Sequence, residues 1–555
     1  MGHIERKCFG YFRVYPELNR PLAVAMPTSN SSHIFNVRAY GAEGNGDQLD
    51  TEAIRNAIDA AAAAGGGTVC FPAGRYVCHS IRLVSNLRLV FEPGAVLTAA
   101  PGPSAQGEPG YDLAEPNEWS TVHRFQDFGH SHWHNSLIWG ENIENVQIVG
   151  PGLIDGTELG KGLDPATSEA PGTANKALGL KNCRRVTLRD FNIYRGGHFA
   201  LLATGVDQMT IDNLTVDTNR DALDIDCCQF VQISNCRINT INDDAIVLKT
   251  SYGLGCLRAT ENVTISNCVV SGYDIGSVLD GSYSCDDYFA PDRDGPTGRI
   301  KLGTESNGDF RNITISNIVF DRCRGLALES VDGSNIENVT VRNITMRNVS
   351  NSAIFLRLGN RARGPKGTPV GSIRGVSISG VVANAVDGRF PIQLQGLPGH
   401  PIRDVRLSDI RIESRGGISM AEVAEQPDHL VNDFFLRTQP DETGVTGPRD
   451  PFAVPLREKA YPEPSMFGLL PASGLYARHV EGLSLRDVDF AFLEADERPL
   501  ILLDTVSNVQ IRSLNSGRPL PQDRFRLESV RQFSALDGVG HPDLVRDSVQ
   551  LETIR

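Results

Sequence analysis

One short pattern governs what this chain can fold into. It reads NVQIVG at 145–150, RVTLRDFNI at 185–193, QMTIDNLTV at 208–216, FVQISNCRI at 230–238 and NVTISNCVV at 262–270. It returns as NITISNIVF (312–320), NVTVRNITM (338–346), GVSISGVVA (375–383), DVRLSDIRI (404–412), GLSLRDVDF (482–490) and NVQIRSLNS (508–516). β-Branched and polar residues alternate, the period of a strand with one face buried. The closest copies start 22, 23 or 26 residues apart. Short strands at that interval, with few helical segments between, predict an all-β fold, a parallel β-helix built as a single-chain solenoid. Asn213, Asn235, Asn267, Asn317 and Asn343 recur four residues past the first repeat hydrophobe and predict a stacked amide ladder at a turn.

Near the start, DTEAIRNAIDAAAAAGGG reads as a helix. Asp50 is placed to cap it, Ile54, Ala57, Ile58 and Ala61 share one face, and Gly65–Gly67 stop it. Such a helix would cover the open end of the solenoid, where unpaired strand edges invite aggregation. The organisation expected is an extension at 1–34, a β-helix domain at 35–516 and a tail at 517–555. Within the β-helix, loops interrupt the repeat at 274–298 and, at greater length, at 413–474. Long loops on a rigid scaffold commonly carry function.

A net charge of −14 argues against nucleic acid or an anionic membrane as partner. No apolar run approaches the roughly 20 residues that span a bilayer, and residues 1–26 lack the continuous apolar core of a secretory leader. The eleven cysteines include no zinc-type pairs, and Cys236 and Cys268, each after an Asn of the repeat, read as small buried residues rather than disulfide partners.

Against this background, DTNRDALDID (217–226) and NDDAI (242–246) place Asp217, Asp221, Asp224, Asp226, Asp243 and Asp244 beside residues that read as core. Counting twelve residues from the first hydrophobe of each repeat leads from Val186 to His198, from Met209 to Asp221 and from Val231 to Asp243. These three are therefore expected to stack on successive coils, about 4.8 Å apart, with Asp244 one residue beyond. Carboxylates that close raise at least one pKa, so that one holds a proton while another ionises. Glycosidic cleavage requires that combination of acid and base. Asp217, Asp224 and Asp226 read as ordinary strand ends and turn caps.

NRDALDID followed by NDDAIVLK resembles the NTDG and DD motifs of glycoside hydrolase family 28, the polygalacturonase family. FNVRAYGAEGNGDQLDTEAIRNAID, GGGTVCFPAGRY and GTESNGDFRNITISN (303–317) resemble other parts of that family, and the likeness spans roughly 35–410, more weakly to 516. The resemblance implies a right-handed β-helix and inverting hydrolysis of galacturonan or rhamnogalacturonan. It makes Asp243 the general acid, sets Asp221 and Asp244 to hold and activate water, and implies no metal or other cofactor. Two family elements are expected to be missing. TGRIKLG stands where a GHG histidine belongs, with Gly298 or Arg299 at its place, and LALE, with Ala327 and Glu329, stands where RIK would supply cations.

Arg299 and Lys301, two apart on a strand, are candidates to bind a uronate in their stead, with Lys249 and Arg357, which share a repeat position. His198 is a further substrate-binding candidate. In GHSHWHN (129–135), Trp133 with His134 could form a sugar-binding rim, while His130, His132 and His134 lack the acid or cysteine that would complete a metal site. The reading reached is an exo-acting, inverting glycosidase on pectin-type oligo- or polysaccharides, with the 413–474 loop closing one end of its groove. Its rivals are a calcium-dependent uronan lyase on the same fold and a non-catalytic carbohydrate-binding solenoid.

Overall fold

The repeats become strands whose first hydrophobe points inward and stacks in register from coil to coil. One such column runs Val186, Met209, Val231, Val263, Ile313, Val339, Val376, Val405, Leu483 and Val509, all of it buried. Every pairing along it is parallel, so the chain winds as a right-handed parallel β-helix around one continuous apolar core. The computed structural model describes residues 33–105, 107–115, 125, 129–160, 170–286, 295–438, 447–517, 523–539 and 542–555; the expected extension at 1–34 lies almost wholly outside them. The sheet does not end at 516. Phe525–Leu536 adds a parallel strand, and Leu544–Ile554 returns antiparallel against it, so the expected tail forms the last rungs of the solenoid.

At the other end, the helix Thr51–Ala63 buries Ile54, Ala57, Ile58 and Ala61 against the first strands. Asp50 does not cap it. Its carboxylate accepts from the Glu43 and Gly44 amides at 2.7 and 3.1 Å, tying the preceding loop to the helix start.

The five repeat asparagines all have φ between 52° and 59°, a left-handed conformation that Asn tolerates better than other side chains bearing a Cβ. In the later coils the amides form the expected ladder: Asn343 donates to Asn317 and Asn317 to Asn267, each at 3.0 Å. In the earlier coils carboxylates replace amides, with Asn213 donating to Asp190 and Asn235 to Asp212. Cys236 and Cys268 are buried free thiols.

One face of the solenoid becomes the floor of the site. It contains Phe199–Thr204, Asp221–Asp226, Ile246–Thr250, Ile300–Ser306, Leu326–Ser330 and Ile354–Leu358. An outward column on this face runs Asp224, Val247, Lys301, Ala327, Phe355, Gln393, Tyr476 and Leu502. It turns mainly apolar after Lys301, and there the long insertion sits: Phe435, Met466, Phe467 and Leu470 pack on Ala327, Phe355, Tyr476 and Leu502. The apolar coils position the insertion because exposing them would forfeit roughly 25 cal/mol per Å².

Asn317→Ala should lower stability by about 1–2 kcal/mol, because alanine is strained at positive φ and breaks the ladder. Asn317→Gly, which removes only the amide, should cost less; urea midpoints of the two variants separate the contributions.

Candidate active site

Register decides which carboxylates meet. Asp221 pairs with Phe199, not His198, and Leu223 pairs with Ile246. Asp221 therefore stands level with Asp244, and the Ala222 amide donates to the Asp244 carbonyl at 3.0 Å. The segment from Val231 to Ile246 is one residue longer than that from Met209 to Leu223, and its turn absorbs the extra residue. The expected column of His198, Asp221 and Asp243 is thus off by one, with Asp243 at the turn beside the stacked pair. The three carboxylates still converge, one oxygen of each lying within 4.8 Å of the others. The Asp244 amide donates to Asp221 and Asp243, at 3.2 and 3.1 Å.

Their surroundings differ. Asp244 is buried, with Arg299 Nε at 2.5 Å and Lys301 Nζ at 3.2 Å. Burial alone would raise its pKa, but these two cations outweigh it and hold the carboxyl below its ordinary value. Asp221 is pushed well above that value by burial and next by the charge of Asp243, with Lys249 opposing. Asp243 is the most open of the three, its side chain 17 % exposed, and pairs with Arg220 Nη2 at 2.6 Å. The cluster is thus polarised, with ionisation favoured at Asp244 and disfavoured at Asp221.

A second layer holds Asp221. The Lys249 ammonium lies 3.1 Å from Asp224, 3.4 Å from Asp221 and 3.5 Å from Glu305, and contacts His130. Burial and Lys249 push His130 down, yet Glu305 and Asp224 lift its pKa to about 9. Asp224 is therefore no strand-end carboxylate but part of a buried charge network. Asp217 and Asp226 do cap backbone, Asp217 accepting from Gly276, Val278 and Leu279 and Asp226 from Ser251.

Several functional candidates stand elsewhere than expected. Arg299 and Lys301 are buried and committed to protein carboxylates: Arg299 also reaches Glu463 at 3.0 Å, and Lys301 lies 3.7 Å from Glu329. Arg357 is buried beneath the insertion, donating to the Leu456 and Arg457 carbonyls, and is no groove cation. Trp133 offers no exposed face: it is buried, its indole donates to Thr204 Oγ1, and the Lys181 ammonium covers its ring. His134 pairs with Glu141 at 2.9 Å and stacks on Trp139. His198 is buried against Phe199 and kept neutral by burial and by Arg220, although Asp243 lies near enough to oppose this.

Sequence reasoning missed Arg220, Glu305, Arg324, Tyr461 and Glu463. Arg220 had a signal, its place directly before Asp221. Glu463 and Tyr461 had none, since the insertion brings them from far along the chain. Tyr461 accepts from Thr304 Oγ1 at 3.0 Å and sets its ring 5.6 Å from Lys301 Nζ.

Among the described residues two groups, His130 with Asp221 and Asp224, and Asp221 with Asp243 and Asp244, have the spacing to hold a metal ion. Neither suits one. The Lys249 ammonium lies within the first, and Arg299 and Lys301 already neutralise Asp244 in the second.

Glu329 supplies a pH test of this electrostatic arrangement. Burial lifts its pKa to about 7, although Lys301 and Arg299 oppose this, and Glu463 and Asp244 add to the rise. The unfolded chain loses this proton near pH 4.5 and the folded chain near 7, so its contribution to stability should fall as pH rises between those values. The loss should reach roughly 3 kcal/mol and then level off. Urea titrations at several pH values should show that slope in the parent and a smaller one in Glu329→Gln.

Known proteins resemble this chain in sequence and in fold. Residues 121–287 match the model of glycosyl hydrolases family 28, and residues 34–110 match that of rhamnogalacturonase A/epimerase, pectate lyase-like. A probable polygalacturonase of Vitis vinifera is 23 % identical over 418 residues, 69 % of this chain and 74 % of its own. The Yersinia enterocolitica family 28 exopolygalacturonase superposes with a TM-score of 0.57 at 17 % identity, over 88 % of this chain and 79 % of its own. An exopolygalacturonase from Thermotoga maritima does so at 0.52 and 19 %, over 69 % of this chain and 87 % of its own. The matched segment contains all three converging aspartates, and across it the chain is similar to glycoside hydrolase family 28, as a polygalacturonase-like glycosidase would be.

Proposed function

We propose that this glycosidase removes single sugars from the ends of pectin-type chains, galacturonan or rhamnogalacturonan, with inversion of configuration. The observation that carries the reading is the polarised trio: three carboxylates with one oxygen of each within 4.8 Å, ionisation favoured at Asp244 and disfavoured at Asp221, and Asp243 the most exposed. Asp243, the most exposed, protonates the leaving oxygen. Asp221 and Asp243 share one proton, which rests on Asp221 in the empty site and passes to Asp243 when the glycosidic oxygen arrives. Asp244 and Asp221 orient and deprotonate the attacking water.

Oxygens this close would also suit a retaining pair, in which one carboxylate attacks the sugar. Each Asp244 oxygen carries a cation, Arg299 on one and Lys301 on the other, which hinders its approach to the sugar carbon but leaves a lone pair to accept from a water. Attack by water, and so inversion, is the better fit. Exo action is supported by the insertion, which covers the floor on the side of Ala327 and Phe355. Elimination by a lyase would want a metal where Lys249, Arg299 and Lys301 place their charges.

Asp243→Asn and Asp244→Asn should each lower kcat on oligogalacturonates by about 10²–10⁴. Monosaccharide should be the first product, with reducing ends rising well before viscosity falls, and proton NMR should show the anomer opposite to the bond cleaved. An unsaturated product absorbing in the ultraviolet would instead make the chain a lyase. Retained binding without turnover on both galacturonan and rhamnogalacturonan would make it a binding solenoid.

A further inference from the structure

Arg299 and Lys301 raise a question that hydrolysis alone does not answer. A cation pair beside the catalytic carboxylates is well placed to receive a uronate, yet neither side chain has a charge to spare. Arg299 bridges Asp244 and Glu463, Lys301 lies between Asp244 and Glu329, and both are at most 4 % exposed. Glu463 is itself fixed from three sides: by Arg299 at 3.0 Å, by Arg324 at 2.7 Å and by Asn351 Nδ2 at 3.2 Å. Burial would raise its pKa, but Arg299, Arg324 and Lys301 hold it below the ordinary value, so Glu463 is an anion.

We infer that Glu463, carried by the 413–474 insertion, is a positioning residue for catalysis: it holds the Arg299 guanidinium so that its Nε rests on Asp244 and keeps that carboxylate charged. The inference rests on the reading of Asp244 as the water-activating base. Two buried guanidiniums, Arg299 and Arg324, converge on the one carboxylate of Glu463. Without that charge they repel each other, and breaking a buried ion pair by removing one partner is strongly unfavourable. Arg299 then moves off Asp244, and the acid limb of activity, set by protonation of the base, moves to higher pH. The insertion thus completes the catalytic electrostatics as well as covering the groove, and the cation pair serves the base instead of the substrate.

The test compares Glu463→Gln, Glu463→Asp and Asp244→Asn on oligogalacturonates of defined length, with kcat and KM taken across pH and thermal unfolding recorded for each. Glu463→Gln should lose at least tenfold in kcat, keep KM within twofold, and shift its acid limb upward by at least half a pH unit. Glu463→Asp, which keeps the charge on a shorter arm, should recover most but not all of the rate and leave only a slight upward shift of the limb. An unmoved acid limb in a folded Glu463→Gln variant, or a loss expressed in KM, overturns the inference. If Glu463→Gln does not fold, Glu463→Asp decides: a small kcat loss with unchanged KM and a slight upward shift supports it, and parental kinetics refute it. Activity retained in Asp244→Asn would overturn the underlying reading, whereas inactive Asp244→Asn beside parental Glu463→Gln would refute the positioning role alone.

Discussion

Parallel stacking at one strand spacing is the constraint on which the molecule depends. Each coil buries its first hydrophobe under that of the next, and slipping a strand by one residue would turn its core face to solvent. That rigidity converts distance in sequence into fixed positions in space. Asp221 and Asp244 become neighbours because Leu223 and Ile246 are bound to pair, and Lys301 meets the same cluster from the following coil because Val247 pairs with it.

The second constraint is charge without water. Asp221, Asp224, Asp244, Glu305, Glu329 and Glu463 are all buried, and so are Lys249, Arg299, Lys301 and Arg324. Buried charges persist only when paired, so the site is a mesh in which each group's protonation is set by its partners. Asp221 and Asp244 sit on adjacent coils with similar burial, yet their pKa values diverge, because two cations touch Asp244 while Asp221 faces Asp243. The surroundings, and not the aspartates alone, set which carboxylate favours its proton.

The solenoid and the convergence of Asp221, Asp243 and Asp244 were legible because the repeat states its own register. The error of one position at His198 and Asp243 arose where a turn absorbed an extra residue, which leaves no mark on the alternation of the strands. Asp224 was read as a strand end because nothing local shows that His130 and Lys249 close over it. Trp133 was read as a sugar-binding rim for its aromatic face and Arg357 as a candidate cation because it shares a repeat position with Lys249, but the outward side of a solenoid is exposed only where no loop lies on it. The carboxylates that occupy Arg299 and Lys301 were illegible for a related reason. Glu463 arrives on an insertion whose path has no repeat, and Glu329 is a neighbour only through stacking.

A solenoid can relocate a side chain only in steps of one coil along its axis, roughly 4.8 Å. Arg299 and Lys301 stand one coil before Ala327, and Lys301 pairs directly with it. On the coil of Ala327 a cation pair would lie one full step farther from Asp221 and Asp244, and would not neutralise Asp244. On their own coil they touch Asp244, and an unopposed pair of cations there would be costly to bury. Glu463 offsets that cost from the insertion, and Glu329 from the neighbouring coil once it ionises, near pH 7. The insertion's apolar residues dock on Ala327 and Phe355, the coils just past the cations, so the packing that seats the insertion also delivers Glu463 to Arg299. Anchor and electrostatic partner therefore belong to one element, and a change in how the insertion packs is felt at Asp244 through a single guanidinium.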